Sequence, residues 1–451
     1  MQFKNNTFLV YGLGKSGVSA GKLLLDLKAR VLLYDKDADV YKKQSVTTLI
    51  EGGAEIFDQS QAFNTVILSP GVRIDDEFLV KTKRNGIKII SELELGYMLT
   101  KAPIIAVTGT NGKTTVTSMI THALKNLGET CFSLGNIGTP LTEKCLDLKP
   151  TDYATVEVSS FQLESVKTFC PHIALITNVT QDHLDRHYSM ENYVYLKGQI
   201  LKNLTQTEFA VLNYDDPTVR AFASNVKAPV VWFSYSKWAQ NDQNTYFNGA
   251  HFDGQYLCYK GERVIAEREL NIYGKHNVEN ALSVISVLSI LGFDAQSISQ
   301  ALTTFRGVNH RLEKVFYDGQ ISYYNDSKAT NVGASLTAVD CMEDKTVIIL
   351  GGETKSQDFT PLFDKLKNSN VVYAVMMGKG KTHLAKVAIE KEFFNFSLAN
   401  DMAEAVRLAK GYLSGGGNVL LSPACSSLDY YPNYQARGQD FINVINAIYE
   451  S

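Results

Sequence analysis

Cysteine is scarce and scattered. The six residues Cys131, Cys145, Cys170, Cys258, Cys341 and Cys425 include no Cys-x-x-Cys pair, so the sequence offers neither a zinc site nor a disulfide framework and suits a reducing compartment. Ten prolines cannot supply a long stiff linker. No apolar run approaches the roughly 20 residues of a spanning helix, and the run from Phe8 to Tyr11 is cut by Gly12 and Gly14 before a signal-peptide core develops. A cytoplasmic protein without a membrane partner is expected. Charge of one sign is also missing in excess, because 44 Lys and Arg against 47 Asp and Glu leave a net charge of −3. That excludes a basic footprint of nucleic-acid size. What is present is a chain of 451 residues, 45% hydrophobic and 20% charged, the balance of a globular enzyme rather than a disordered tail. Its length allows about three domains, each with its own core.

Strand-length apolar runs alternate with helix-length amphipathic stretches from end to end, which predicts α/β layers built on parallel sheets. Three blocks separate, at 1–93, 94–299 and 300–451. The first holds apolar runs at 7–11, 31–34 and 66–69 and closes near Ile89 and Ile90. The second holds runs at 104–108, 152–158, 173–177 and 209–213, and its last helix is predicted over 276–291, stopped by Gly292. The third holds runs at 346–350, 371–376 and 418–421 with a helix over 402–413. A polar, aromatic, Gly-containing region at 241–261 predicts antiparallel strands on the edge of the central block. No internal repeat, low-complexity tract or heptad run occurs.

Two glycine loops carry the first chemical signal. Gly12-Leu13-Gly14-Lys15-Ser16-Gly17 lies between an apolar strand and a helix, with Asp35 ending the next strand. Its backbone N–H groups can approach a diphosphate at a helix N-terminus, where orphan donors and the macrodipole favour negative charge, and Asp35 can meet a ribose hydroxyl. Alone, this motif points to a nicotinamide-dependent oxidoreductase, and it does not say which diphosphate binds. The second loop, Gly109-Thr110-Asn111-Gly112-Lys113-Thr114-Thr115, follows the run at 104–108 and departs from the strict P-loop because Val107 stands where the first Gly would be. Its chemistry is still that of an ATP loop: amides for phosphate oxygens, Lys113 for the β/γ charge, the Thr114 hydroxyl for Mg²⁺. Hydride transfer needs no γ-phosphate site. A ligase that activates one substrate with ATP while holding another by its diphosphate needs both loops.

Glu157 ends a strand expected beside the ATP-loop strand, where it can deliver a carboxylate to a metal; a strand-end surface acid is the plainer alternative. The run at 177–187 clusters acids with imidazoles but lacks HExxH, and His183 reads either as a loop histidine or as a metal ligand. Lys197, on a helix predicted over 190–204, reads by itself as a solvated surface lysine. Asn277 and Asn280 stand at i, i+3 and can face one ligand or cap the helix. Taken together, Gly109 to Thr115, Glu157-Val-Ser-Ser-Phe-Gln162, Asn178 to Asp185, Gly274-Lys-His-Asn-Val-Glu-Asn280 and His310-Arg311 follow one order. In these motifs the chain resembles the Mur ligases, ATP-dependent amide-forming enzymes that build the peptide stem of bacterial peptidoglycan. Ser69-Pro70-Gly71, Gly135-Asn136-Ile137-Gly138, Asn325 to Asn331 and Ser422 to Asp429 resemble the branch that adds D-glutamate, and no Asp-Asn-Pro-Arg motif of the diaminopimelate- or lysine-adding branch is present. The shortened ATP loop is shared across the family.

The resemblance implies three α/β domains: a Rossmann-like domain for a UDP substrate (1–93), a P-loop-type ATPase domain (94–299) and a Rossmann-like domain for the amino acid (300–451). It implies that ATP phosphorylates the free carboxylate of UDP-N-acetylmuramoyl-L-alanine, that the D-glutamate amine attacks the acyl phosphate, and that a tetrahedral intermediate collapses to the amide. Lys113, Glu157, His183 and Lys197 would be catalytic. Two Mg²⁺ ions are implied, one on Thr114 and Glu157 and one on Glu157, His183 and Lys197, with Lys197 carbamylated so that a cation becomes an oxygen-rich anion. Gly109 to Thr115, Asn277, Asn280, Arg311 and Asp326 would bind ATP. Gly14, Lys15, Ser16, Asp35, Lys36, Ser69, Pro70 and Gly71 match the uridine diphosphate region, and Asn136 matches the muramoyl-alanine end. Lys328, Thr330, Lys355, Ser427 and Tyr434 match the D-glutamate contacts. No nucleic-acid partner is expected, and the expected form is a monomer.

Overall fold

The computed structural model describes residues 3–4, 6–236, 248–354 and 357–450. Strands β1 (Thr7–Tyr11), β2 (Arg30–Tyr34), β3 (Glu55–Ile56), β4 (Thr65–Leu68) and β5 (Lys88–Ser91) form a parallel sheet in the order β3-β2-β1-β4-β5. A second sheet comprises β6 (Ile104–Thr108), β7 (Cys131–Gly135), β8 (Tyr153–Glu157), β9 (Ile173–Ile176), β10 (Phe209–Asn213), β11 (Val230–Ser234), β12 (Gly249–Phe252), β13 (Tyr256–Tyr259) and β14 (Glu262–Ala266). Its order is β14-β13-β12-β11-β10-β9-β6-β8-β7, parallel up to β12 and antiparallel beyond. The third sheet joins β15 (Glu313–Tyr317), β16 (Ile321–Asn325), β17 (Thr346–Gly351), β18 (Val371–Met377), β19 (Phe396–Leu398) and β20 (Gly417–Leu421) in the order β15-β16-β20-β17-β18-β19.

The chain divides into two compact units. Residues 1–270 with 276–305 carry the first two sheets, and residues 271–275 with 306–451 carry the third. The central strands are unbroken apolar runs because parallel strands are covered on both faces: every residue of β6, β9 and β17 is buried. Strand order also fixes where loops meet. In the first sheet the chain leaves β1 toward β2 on one side and returns as β4 on the other, so the loops after β1 and β4 open side by side. In the second, β6 lies between β9 and β8, which brings the C-terminal ends of three strands to one point.

The predicted strands at 7–11, 104–108, 346–350 and 418–421 are present, as is the helix before Gly292, at Lys275–Ile290. The helix predicted over 190–204 is shorter, ending at Gly198 before a 3₁₀ turn Gln199–Leu201. Of the antiparallel region predicted at 241–261, residues 249–261 form β12, β13 and the approach to β14, while 241–247 lie outside the described residues. The antiparallel pair β15 and β16 was not foreseen. Among the described residues no helix is long and apolar enough to cross a membrane.

Candidate functional site

The loops after β1 and β4 frame a cleft of about 430 Å³ lined by Gly14, Lys15, Ser16, Asp35, Ser69, Pro70, Gly71 and Asn136. Eight residues assigned to the UDP substrate are thereby brought together. Ser69 Oγ donates to Gly12 O at 2.6 Å, locking one loop on the other. The Asp35 carboxylate holds the glycine loop, its Oδ2 accepting from Leu13 N at 2.7 Å. Lys15 is exposed, and its Nζ donates to Gly138 O across the cleft. Lys36 lies outside this cleft, in a neighbouring one of about 590 Å³ with Asp35 and Gly71, and pairs with Asp76.

Around the end of β6 the second loop is held from three directions. Gly109 has φ +146°, and a Cβ there would stand 1.9 Å from Thr177 Oγ1; Gly112, at φ +82°, would meet Asn280 Oδ1 at 2.5 Å. Only glycine lets the loop lie this close to its neighbours. Asn178, just past β9, receives Asn111 N on its side chain and Thr110 N on its carbonyl, both at 2.9 Å. Asn280 Nδ2 donates to Asn277 Oδ1 at 3.2 Å, and both asparagines are buried, Asn280 against Gly112 of the loop. Lys113 Nζ donates to Gly109 O and Thr110 O at 2.9 and 2.7 Å.

Glu157 ends β8 beside β6 and is buried, which sets aside the surface-acid alternative. Its Oε2 accepts from Thr114 Oγ1 at 2.8 Å and its Oε1 from Asn136 Nδ2 at 2.9 Å. A carboxylate and a hydroxyl at the start of the Lys113–Asn126 helix are hard oxygen donors of the type Mg²⁺ takes together with phosphate oxygens and water. The donor set fits that ion. His183 is half exposed, 3.5 Å from Asp182, and takes a left-handed backbone (φ 53°). No group of three or more His, Cys, Asp or Glu able to hold a metal occurs among the described residues, so an ion here needs ligands from outside that set.

Lys197 is a correction to the surface-lysine reading. It is 2% exposed, with Nζ donating to Gly109 O at 2.6 Å and Thr108 Oγ1 at 3.3 Å. Burial, reinforced by Lys113, drives its pKa well below the ordinary lysine value. Tyr193, to which no role was given, is buried beside it, with its ring centroid 5.2 Å from Nζ and its hydroxyl 3.1 Å from Thr110 Oγ1.

In the second unit, Asp326 is buried between Leu312 N (3.2 Å) and Ser422 Oγ (2.8 Å). Desolvation pushes its pKa up to about 7, against the Ser422 bond and the Arg311 charge. Lys328 Nζ lies 5.7 Å from the Tyr434 ring centroid, Thr330 N donates to Lys328 O, and Ser427 is buried. Lys355 lies outside the described residues. Arg437 was missed. It is 2% exposed and donates to Ser327 Oγ, Ser327 O, Cys425 O and Gly351 O. The available signal was its place on the inward face of its helix, in line with Phe441 and Ile445.

Comparison with known proteins gives one answer. Residues 6–91 match the Mur ligase MurD-like N-terminal domain and residues 107–288 the Mur ligase middle domain. A UDP-N-acetylmuramoylalanine--D-glutamate ligase of Caldanaerobacter subterraneus subsp. tengcongensis is 38% identical over 449 residues, covering 98% of each chain. A protein of that name from Streptococcus mutans serotype c is 35% identical over 455 residues, covering 99% of this chain and 98% of its own. Among solved structures, UDP-N-acetylmuramate-alanine ligase of Thermotoga maritima aligns at a TM-score of 0.60 with 20% identity, covering 98% of this chain and 99% of its own. MurF of Acinetobacter baumannii aligns at 0.62 with 17% identity, covering 92% and 91%. At these identities the structures speak for the fold.

Proposed function

The chain belongs to the Mur ligase family, and from that premise we propose that it joins D-glutamate to UDP-N-acetylmuramoyl-L-alanine at the expense of ATP, as a cytoplasmic monomer in peptidoglycan precursor synthesis. The observation that carries the reading is the position of Glu157, whose two oxygens join the ATP loop, through Thr114, to the substrate cleft, through Asn136. Segment 1–93 binds the UDP moiety, 94–299 binds ATP and 300–451 binds the amino acid.

The diphosphate of the sugar nucleotide meets the backbone N–H groups of the Gly14 to Ser16 turn, and Asn136 orients the alanyl carboxylate. The γ-phosphate of ATP lies over the amides from Gly109 to Thr115, where Lys113 offsets its charge. A carboxylate oxygen attacks the γ-phosphorus, the bond to ADP breaks, and an acyl phosphate forms. Mg²⁺ held by Thr114 and Glu157 screens the phosphates when bound. Burial lowers the Lys197 pKa and so favours its neutral amine, and a neutral amine adds CO₂ to give a carbamate, releasing its proton to water. His183 and that carbamate would complete the ligands of a second ion. In the second unit, Lys328, Thr330, Ser427 and Tyr434 bind D-glutamate, with Lys355 as a further cation, and Arg311 and Asp326 bind nucleotide. The neutral D-glutamate amine attacks the acyl carbon and phosphate leaves.

The test is phosphate release with ATP, Mg²⁺ and UDP-N-acetylmuramoyl-L-alanine, comparing D-glutamate with L-glutamate, L-alanine and L-lysine. Release that depends on D-glutamate, with the amide confirmed by mass, supports the reading. Release with another donor moves the chain to another branch of the family.

A further inference from the structure

Arg186 has no place in the reaction described above, yet it is among the most fully bonded side chains of the first unit. A guanidinium has five N–H donors, and here each has an acceptor. Nε and one Nη2 donor hold the carboxylate of Glu164 at 3.1 and 2.7 Å. The other three reach successive backbone carbonyls: Nη1 to Pro70 O at 2.8 Å and Gly71 O at 3.4 Å, Nη2 to Val72 O at 2.9 Å. The pair is largely out of solvent, at 10% and 6% side-chain exposure, and the guanidinium stacks 4.1 Å from the Phe161 ring centroid.

Those carbonyls belong to the loop whose front lines the diphosphate cleft. The loop is thus held twice, by Ser69 on Gly12 in front and by Arg186 behind. Arg186 itself sits on the single helical turn Leu184–His187, and both Arg186 N and His187 N donate to His183 O at 3.0 Å. Phe161 faces both sides of this arrangement, with its ring centroid 5.0 Å from that of His183. A second tie runs further along the same loop, where the Tyr188 hydroxyl bonds Asp75 and Arg73.

We infer that Arg186 is a positioning residue for the sugar nucleotide: it clamps the Pro70 to Val72 carbonyls to the turn that carries His183, so that the diphosphate loop and the phosphoryl-transfer end of the cleft keep one register. The inference rests on the proposed substrate. Lysine in its place keeps a charge for Glu164 but cannot span three carbonyls, and methionine keeps only bulk.

The test is calorimetric titration of wild type, R186K and R186M with UDP-N-acetylmuramoyl-L-alanine and, separately, with ATP. Wild-type binding of the sugar nucleotide tests the proposed function; the variants, compared with it, test the clamp. Expected is a loss of about tenfold or more in sugar-nucleotide affinity for both variants, with ATP affinity within about twofold of wild type. Unchanged sugar-nucleotide affinity in R186K, or an equal loss for both ligands, overturns the inference. R186K retains the ion pair and is the decisive variant should R186M fail to fold.

Discussion

Thr114 Oγ1 lies 2.8 Å from Glu157 Oε2, and the other oxygen of that carboxylate takes Asn136. One side chain at the end of β8 therefore links phosphate loop and substrate cleft. Glu157→Gln keeps the shape and can still bond both partners, since its carbonyl accepts from Asn136 and its amide can donate to the Thr114 hydroxyl. It removes the anion that an ion would bind. Turnover is expected to fall by about two orders of magnitude or more, with the urea midpoint nearly unchanged. Parallel unfolding whenever activity is lost would refute the assignment.

Lys197 gives a test that needs no mutation. Burial lowers its pKa well below the ordinary lysine value, which favours the neutral amine that reacts with CO₂. Wild-type enzyme exhaustively dialysed in CO₂-free buffer is expected to lose most of its turnover and to regain it on adding bicarbonate, with intact-protein mass reporting the adduct. Turnover indifferent to CO₂ would mean that the amine acts unmodified.

Asp326 sets a pH dependence whose sign follows from its burial. Its pKa rises from the ordinary value near 4 to about 7 in the folded chain. Between those values the folded protein binds more protons than the unfolded chain, so this group makes stability fall as pH rises from about 4 to about 7, and the penalty is constant above. Asp326→Asn removes it. The variant is expected to gain on the order of 4 kcal/mol over wild type at pH 8 and nothing at pH 4, measured by urea unfolding, while its KM for ATP rises. An equal difference at both pH values would contradict the sign.

What could be read in the sequence was what is local. Gly109 to Thr115 reveals itself because strand, turn, cation and hydroxyl are contiguous, and Asn277 with Asn280 because one helical turn separates them. Taken by itself, Lys197 gives a surface lysine because its burial depends on Thr108 and Gly109, nearly ninety positions earlier, which only the fold brings beside it. Arg186 was invisible for another reason: three of its acceptors are backbone carbonyls, and a carbonyl leaves no trace in side-chain composition. The helix expected to reach residue 204 stops at Gly198, where Gly198 packs so closely that a Cβ would meet the Phe222 ring at 2.9 Å.

Arg437 joins the parts of the second unit that carry the proposed D-glutamate contacts. Its guanidinium bonds Ser327, next to Lys328, and Cys425, two residues before Ser427. Burial lowers its pKa to about 10, still far enough above neutrality to keep it charged. Arg437→Met leaves the carbonyls of Ser327 and Cys425 without this donor and should cost about 2–4 kcal/mol. Because these carbonyls shape both segments, the KM for D-glutamate is expected to rise about tenfold or more, while sugar-nucleotide affinity in the first unit holds. Arg437→Lys retains a cation but not the fork, so it should recover stability better than it recovers D-glutamate affinity. Urea unfolding read beside the two substrate dependences separates these effects, and equal recovery of both by lysine would reduce Arg437 to a structural charge.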